Sequence, residues 1–277
     1  MNKIKGEQER FEKVYSSVEE LINFTNLLNN EATTCSKIKI YVEGPTDTKF
    51  LEKHLLEDVV INYAEGCSKF EEVMQYFCND KKLIGIRDRD YMKVDSNYDK
   101  GVFYYDYNSL EIMLIMIDEC YNSICYEYYN GEKRYLELRN EIFNLLKYVS
   151  SIRKYNFDNE NKWNLQSISI GELHKKNMDR ECILEQIKFN NLTDKQKEEI
   201  DRIYNNIKAE DLPFVTRGHD MTKLLTEFFA RGKKGVSADV IESSLRVSCH
   251  PNLFKITKLY KDLKVYEEKN NFKILRG

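Results

Sequence analysis

Glu43, Asp88 and Asp90 are the residues whose type and spacing point first to chemistry. Glu43 closes the run Ile40-Tyr41-Val42 and is followed by Gly44-Pro45-Thr46-Asp47, so a tight turn lies behind its carboxylate. Asp88 and Asp90 follow the apolar segment from Leu83 in Ile86-Arg87-Asp88-Arg89-Asp90. In extended backbone, residues two apart project to the same side, which predicts that these two carboxylates converge. Acids gathered at the ends of neighbouring strands raise one another's pKa unless positive charge stands between them. A hard divalent cation resolves the conflict, because Mg²⁺ or Mn²⁺ prefers oxygen ligands and keeps positions open for a phosphate. Single acids at strand ends and helix starts are commonly there for solvation, capping or the helix dipole. Asp47, in the first turn after Gly44-Pro45, is the most easily explained in that way. A Glu-Gly turn combined with a later Asp-x-Asp is harder to explain so.

The elements that must position these acids alternate. Ile38, Ile40 and Val42 predict a strand, Gly44-Pro45-Thr46 opens a helix carrying Phe50, Leu51, His54 and Leu55, and Val59 to Tyr63 reads as a second strand. A helix over Phe70 to Phe77, strands over Leu83 to Arg87 and Val102 to Tyr105, and a helix over Leu110 to Ile117 follow. Such alternation implies a parallel α/β sheet with ligands bound at the carboxyl ends of the strands. An amphipathic helix from about Glu7 to Leu28 precedes it. Beyond Cys120 the pattern is helical: Tyr135 to Val149, Asp179 to Lys188, Glu198 to Ile207, Asp220 to Ala230, Ala238 to Val247 and Asn252 to Leu263, with Leu165 to Ile170 as the one strand-like segment. The expected organisation is an N-terminal helix over 1–36, an α/β core over 37–125, a helical insertion or partner-binding region over 126–210, and a basic helical region over 211–277.

Composition narrows the class. Of 277 residues, 43 are Lys or Arg and 46 Asp or Glu, and 42% are hydrophobic, which excludes a disordered or fibrous chain. With Gly 11 and Pro 3, turn-rich sandwiches and barrels are disfavoured. Seven cysteines at irregular spacing, with no CxxC pair, argue against zinc ribbons and disulfide frameworks and predict reduced, mostly buried thiols. No apolar run approaches the ~20 residues that span a bilayer, and the polar start of the sequence predicts a cytoplasmic protein without a membrane partner. From Leu212 onward, 13 Lys and Arg stand against 7 Asp and Glu, so the basic charge is concentrated where a nucleic-acid path would be sought first.

Val42-Glu43-Gly44-Pro45-Thr46-Asp47 with Asp88-Arg89-Asp90 resembles the TOPRIM fold of topoisomerases, bacterial primases, small RNA-maturing nucleases and OLD-group nucleases. Four further segments, Gly66-Cys67-Ser68-Lys69, Gly85 to Tyr91, Tyr107-Asn108-Ser109-Leu110-Glu111 and Arg217-Gly218-His219-Asp220, look like the TOPRIM-like effector family of anti-phage systems, which includes the effector subunit of the PARIS system. Residues 37–115 carry the dense resemblance and 214–225 a second patch.

The resemblance implies a TOPRIM-like parallel sheet flanked by helices, and a metal-dependent phosphodiesterase acting on RNA (tRNA included) or DNA. In it Glu43, Asp88 and Asp90 hold one or two Mg²⁺ or Mn²⁺ ions, and Glu43 shuttles a proton. Asp47 matches an additional acid of OLD-type nucleases, and Glu111 matches a recurrent Glu at that helix start. His219 would act at the scissile phosphate, with Arg217, Lys223, Arg231, Lys233 and Lys234 along the nucleic-acid path. The next acid after Asp90 is Asp95, a departure from some TOPRIM patterns that leaves the number of metals open. The family also implies restraint by an ABC-type ATPase partner until infection, for which residues 121–210 are the natural docking or homodimerisation surface. Asp90 is followed by Tyr91 and Met92, unlike the small hydroxyl residue of haloacid-dehalogenase phosphatases, and the chain has no room for the added modules of a topoisomerase or a primase. A non-catalytic TOPRIM scaffold that binds nucleic acid or regulates the ATPase remains the alternative.

Overall fold

The computed structural model describes residues 17–188, 191–229 and 236–276. They form two compact units, one of residues 17–88, 94–105 and 250–276 and the other of the described residues of 89–93 and 106–249. The first unit thus takes residues from 250 on out of the segment grouped by sequence as 211–277, and the second begins before 126.

Helix α1 (Val18–Asn30) opens the first unit, with Ser17 accepting a hydrogen bond from the Glu20 N–H as its cap. The predicted start near Glu7 lies outside the described residues. The unit continues as β1 (Lys39–Val42), α2 (Pro45–Leu51), β2 (Val60–Tyr63), α3 (Cys67–Tyr76), β3 (Leu83–Arg87) and β4 (Val102–Tyr104). The described strands make one all-parallel sheet in the order β2-β1-β3-β4. β1 and β3 are central and buried along their whole length, as expected for strands covered on both faces. Even Lys39 and Tyr41 are buried, the latter with its hydroxyl 2.5 Å from Thr25 Oγ1 and its pKa pushed up to about 12 by burial. Leu21, Phe70, Val73 and Met74 cover the sheet with α1 and α3. Gly85 permits this approach, because a Cβ there would stand 2.6 Å from the Phe70 ring.

The end of the chain returns to the sheet unit. Phe254 packs edge-on against Phe50 at 5.4 Å, Tyr266 against Phe103 at 5.3 Å, and Leu56 N–H donates to Ile274 O. The single helix expected over Asn252 to Leu263 is two, Pro251–Phe254 and Lys258–Asn270. Thr257 breaks it, its hydroxyl accepting from Tyr260 N–H to cap the second helix.

The second unit contains α4 (Leu110–Met116), α5 (Asp118–Tyr128), α6 (Tyr135–Asp158), α7 (Ile170–Lys175), α8 (Arg180–Gln186), α9 (Asp194–Asn206), α10 (Leu212–Val215), α11 (Gly218–Phe229) and α12 (Ala238–Ser248). No strand forms over Leu165 to Ile170. Its buried residues Leu165, Ile168 and Ile170 are not spaced by two throughout, and Ile170 is the first residue of α7. α11 buries Met221, Leu224, Leu225 and Phe228, packing against α4, α6, α7 and α12.

All seven thiols are free, but only Cys120, Cys125 and Cys249 are buried, fewer than expected. Among the described residues no helix is long and apolar enough to cross a membrane.

Candidate functional site

In the sheet unit, the chain runs from β1 out to the edge strand β2 and then returns past β1 to β3. The carboxyl ends of β1 and β3 therefore flank a topological switch point, where open α/β sheets bind ligands. Glu43 leaves β1 there and Asp88 leaves β3. The register pairs Val42 with Ile86, so the next residue beside Glu43 is Arg87 rather than an acid. Arg87 is only 4% exposed. Its guanidinium forms an ion pair with Glu43 at 3.0 Å, donates to Glu71 at 2.7 Å and to Cys67 Sγ at 2.8 Å, and lies 5.5 Å from the Phe70 ring centre. Burial acts to lower the Arg87 pKa, but Glu71 and Glu43 outweigh it and raise it. Burial likewise pushes the Cys67 thiol up to about 11, against the pull of Arg87. Asp47 sits in the first turn of α2, where its Oδ2 accepts from Gly44 N–H at 3.0 Å, the capping role that its position suggested.

The expectation that alternation sends Asp88 and Asp90 to one side is not met. β3 ends at Arg87, and Asp90 adopts a left-handed backbone with φ 51°. Within the second unit, Asp90 N–H donates to Asn108 O at 2.9 Å and Asn108 Nδ2 donates to Asp90 O at 2.6 Å. These bonds hold a conformation that costs an L-residue about 1–2 kcal/mol and that Asp tolerates better than most.

The second unit brings Glu111 and His219 together and adds Glu242, which the sequence reading missed. One ligand atom from each lies within 4.8 Å of the others. Glu111 is in the first turn of α4, where Ser109 Oγ donates to its Oε2 at 2.8 Å. His219 opens α11, its Nδ1 3.0 Å from Glu242 Oε1, which also accepts from Thr222 Oγ1 at 2.8 Å. The Glu242 hydrogen bond raises the His219 pKa against the effect of burial. Burial acts to raise Glu242, yet the bonds from His219 and Thr222 bring it below the usual carboxylate range. Glu242 lies beside Ile241 and three residues before Leu245, all buried on α12. An acid on the apolar stripe of an amphipathic helix was the signal available.

The remaining expected residues are dispersed. Asp220 is committed to a buried ion pair with Arg153, Oδ2 to Nε at 2.5 Å and Oδ1 to Nη2 at 3.0 Å. Lys223 is exposed on α11, Arg217 lines a cavity of the same unit, and Arg231, Lys233 and Lys234 lie outside the described residues.

Two donor sets thus stand in the two units. Around Glu43, two carboxylates (Glu43 and Glu71) meet one guanidinium, and the Arg87 Nε also faces the Asp88 backbone carbonyl at 3.3 Å. Glu111, His219 and Glu242 offer two carboxylates and an imidazole, a set suited to Mn²⁺ or Zn²⁺ more than to Mg²⁺. No protein-family model matches the chain, and no curated protein matches it significantly.

Proposed function

We propose that the protein is a divalent-metal-dependent phosphodiesterase acting on nucleic acid, held in check by an ABC-type ATPase until triggered. The observation that carries this reading is the pair of acids leaving adjacent central strands at the switch point of a parallel sheet, Glu43 after β1 and Asp88 after β3. Glu43 and Asp88 would hold Mg²⁺ or Mn²⁺. Such an ion supplies a Lewis acid for a phosphoryl oxygen and lowers the pKa of water. Arg87 fixes the direction of the Glu43 carboxylate through their 3.0 Å ion pair. Glu43, in turn, is the group to accept the proton of the attacking water.

One observation favours a second reading. Arg87 already neutralises Glu43, as it would in a non-catalytic scaffold that binds nucleic acid. Incubation of the protein with tRNA, single-stranded RNA and duplex DNA, with Mg²⁺, Mn²⁺ or EDTA, separates the two. The enzyme reading expects cleavage that EDTA abolishes and that Glu43→Gln and Asp88→Asn lose. Cleavage in EDTA, or equal cleavage by the variants, refutes it. Inertness on every substrate, together with Mn²⁺ binding in calorimetry that Glu43→Gln and Asp88→Asn leave unchanged, establishes the scaffold instead.

A further inference from the structure

A cavity of about 860 Å³ opens within the second unit, and none of the chemistry above uses it. We propose that it seats an unstacked nucleobase of a single-stranded nucleic acid, with Arg217 on the adjoining phosphate. This deepens the nucleic-acid reading by naming the form of substrate, and it rests on that reading.

The walls supply what a base requires. Trp163 and Phe157 present ring surface, each backed by another ring: Tyr155 lies 5.4 Å from Trp163 at 30°, and Tyr91 lies 5.4 Å from Phe157. Aromatic faces bind bases with little sequence preference, because every base has a π-face. Asn161 and Tyr91 line the cavity, and Asn161 Nδ2 and the Tyr91 hydroxyl have no hydrogen-bond partner among the described residues. A base carries carbonyl oxygens and ring nitrogens that such donors satisfy, and its exocyclic amines suit the carboxylates of Asp90 and Glu160, which also line the cavity. Those acids disfavour filling the cavity with phosphate alone.

The cation is specific too. Arg153 is spent on Asp220, whereas Arg217 has no carboxylate within ion-pair distance among the described residues. A duplex keeps its bases stacked and paired, so a ring-walled cavity selects single strands, loops or flipped nucleotides.

Trp163 is the sole tryptophan of the chain, so its fluorescence reports this cavity directly. The full-length protein in EDTA, where the proposed cleavage cannot proceed, is titrated with six-nucleotide single-stranded RNA and DNA, with a duplex of the same sequence, and with mononucleotides. The expected result is saturable quenching by single strands and little by duplex. Arg217→Ala should weaken binding on the order of tenfold and lower the salt slope by about 0.7. Asn161→Ala should weaken binding without changing that slope. Circular dichroism and the emission maximum of Trp163 establish that both variants fold.

Equal quenching by duplex, mononucleotides binding as tightly as the oligonucleotides, or affinities unchanged in both folded variants would overturn the proposal. Quenching that persists in Glu43→Gln, in a protein that never cleaves, would leave the base site standing and remove the nuclease reading. Cleavage with no quenching would do the reverse.

Discussion

Gly218 is where the metal-capable cluster of the second unit is most sensitive to a small change. A Cβ built on it would lie 2.3 Å from Glu111 Oε2 and from Ser109 Oγ, and 2.9 Å from Glu111 Cβ. Ordinary contact begins near 3.4 Å, so Gly218→Ala demands about 1 Å of movement. The carboxylate tip and the hydroxyl could each rotate, but they are joined by a 2.8 Å hydrogen bond, and Glu111 Cβ is fixed on α4. Overpacking of this kind costs about 1–3 kcal/mol, and losing the hydrogen bond to a charged group costs about 1.5–3 kcal/mol. The better helix propensity of Ala returns at most about 1 kcal/mol. A net loss of about 1.5–5 kcal/mol is expected in urea unfolding. Glu111 should also be turned away from His219 and Glu242, lowering Mn²⁺ affinity by about 10–100-fold in calorimetry, with His219→Ala as the reference for a broken site. A Gly218→Ala protein as stable as the parent, with Mn²⁺ binding unchanged, would refute this account of how α4 and α11 meet.

Two further perturbations test the packing of each unit. In the sheet unit, burial lowers the His54 pKa to about 4, aided by Lys53, Arg276 and His250, and both ring nitrogens lack hydrogen-bond partners among the described residues. The folded state therefore keeps His54 neutral, so its contribution is complete above the unfolded pKa of 6.5 and is lost as pH falls from there toward 4. Between pH 7.5 and 5 the parent should lose about 2 kcal/mol that His54→Phe retains, and identical pH profiles in urea unfolding would exclude this. In the second unit, Asp220→Leu strands the buried Arg153 guanidinium and should cost about 3–5 kcal/mol, seen as a lower Tm. Arg153→Met combined with Asp220→Leu should restore most of it; a double variant no better than the single one would show that the pair is not the cause.

The strands were legible because central parallel strands are short apolar runs with abrupt polar ends: Leu83 to Arg87 is one such run, and β3 spans the same residues. Helix periodicity was equally legible in α12, but it does not record a cap in mid-pattern, so Thr257 passed for a residue within one helix. The Asp-x-Asp geometry failed for a local reason. The inference assumed extended backbone, and a left-handed residue that takes its partner from Asn108 leaves no mark in the spacing of Asp88 and Asp90. Glu242 failed because one residue type serves both as a solvated helix acid and as a buried acceptor; the choice between them is made by Thr222 and His219, about twenty positions away.

Arg87 is the residue at which sequence and structure differ in substance. Read along the chain it is one charge in Arg87-Asp88-Arg89-Asp90, the kind of alternation that solvent explains. Read across the sheet, register sets it beside Glu43, and α3 brings Glu71 and Cys67 to the same guanidinium. A buried cation needs its partners, so Glu43 has a folding role as well as any chemical one. Loss of activity in Glu43→Ala would therefore be ambiguous. Glu43→Gln removes the charge while keeping an acceptor near Arg87, and its stability must be measured beside its activity. Only if stability holds while cleavage disappears does the carboxylate act on a substrate rather than on its own arginine.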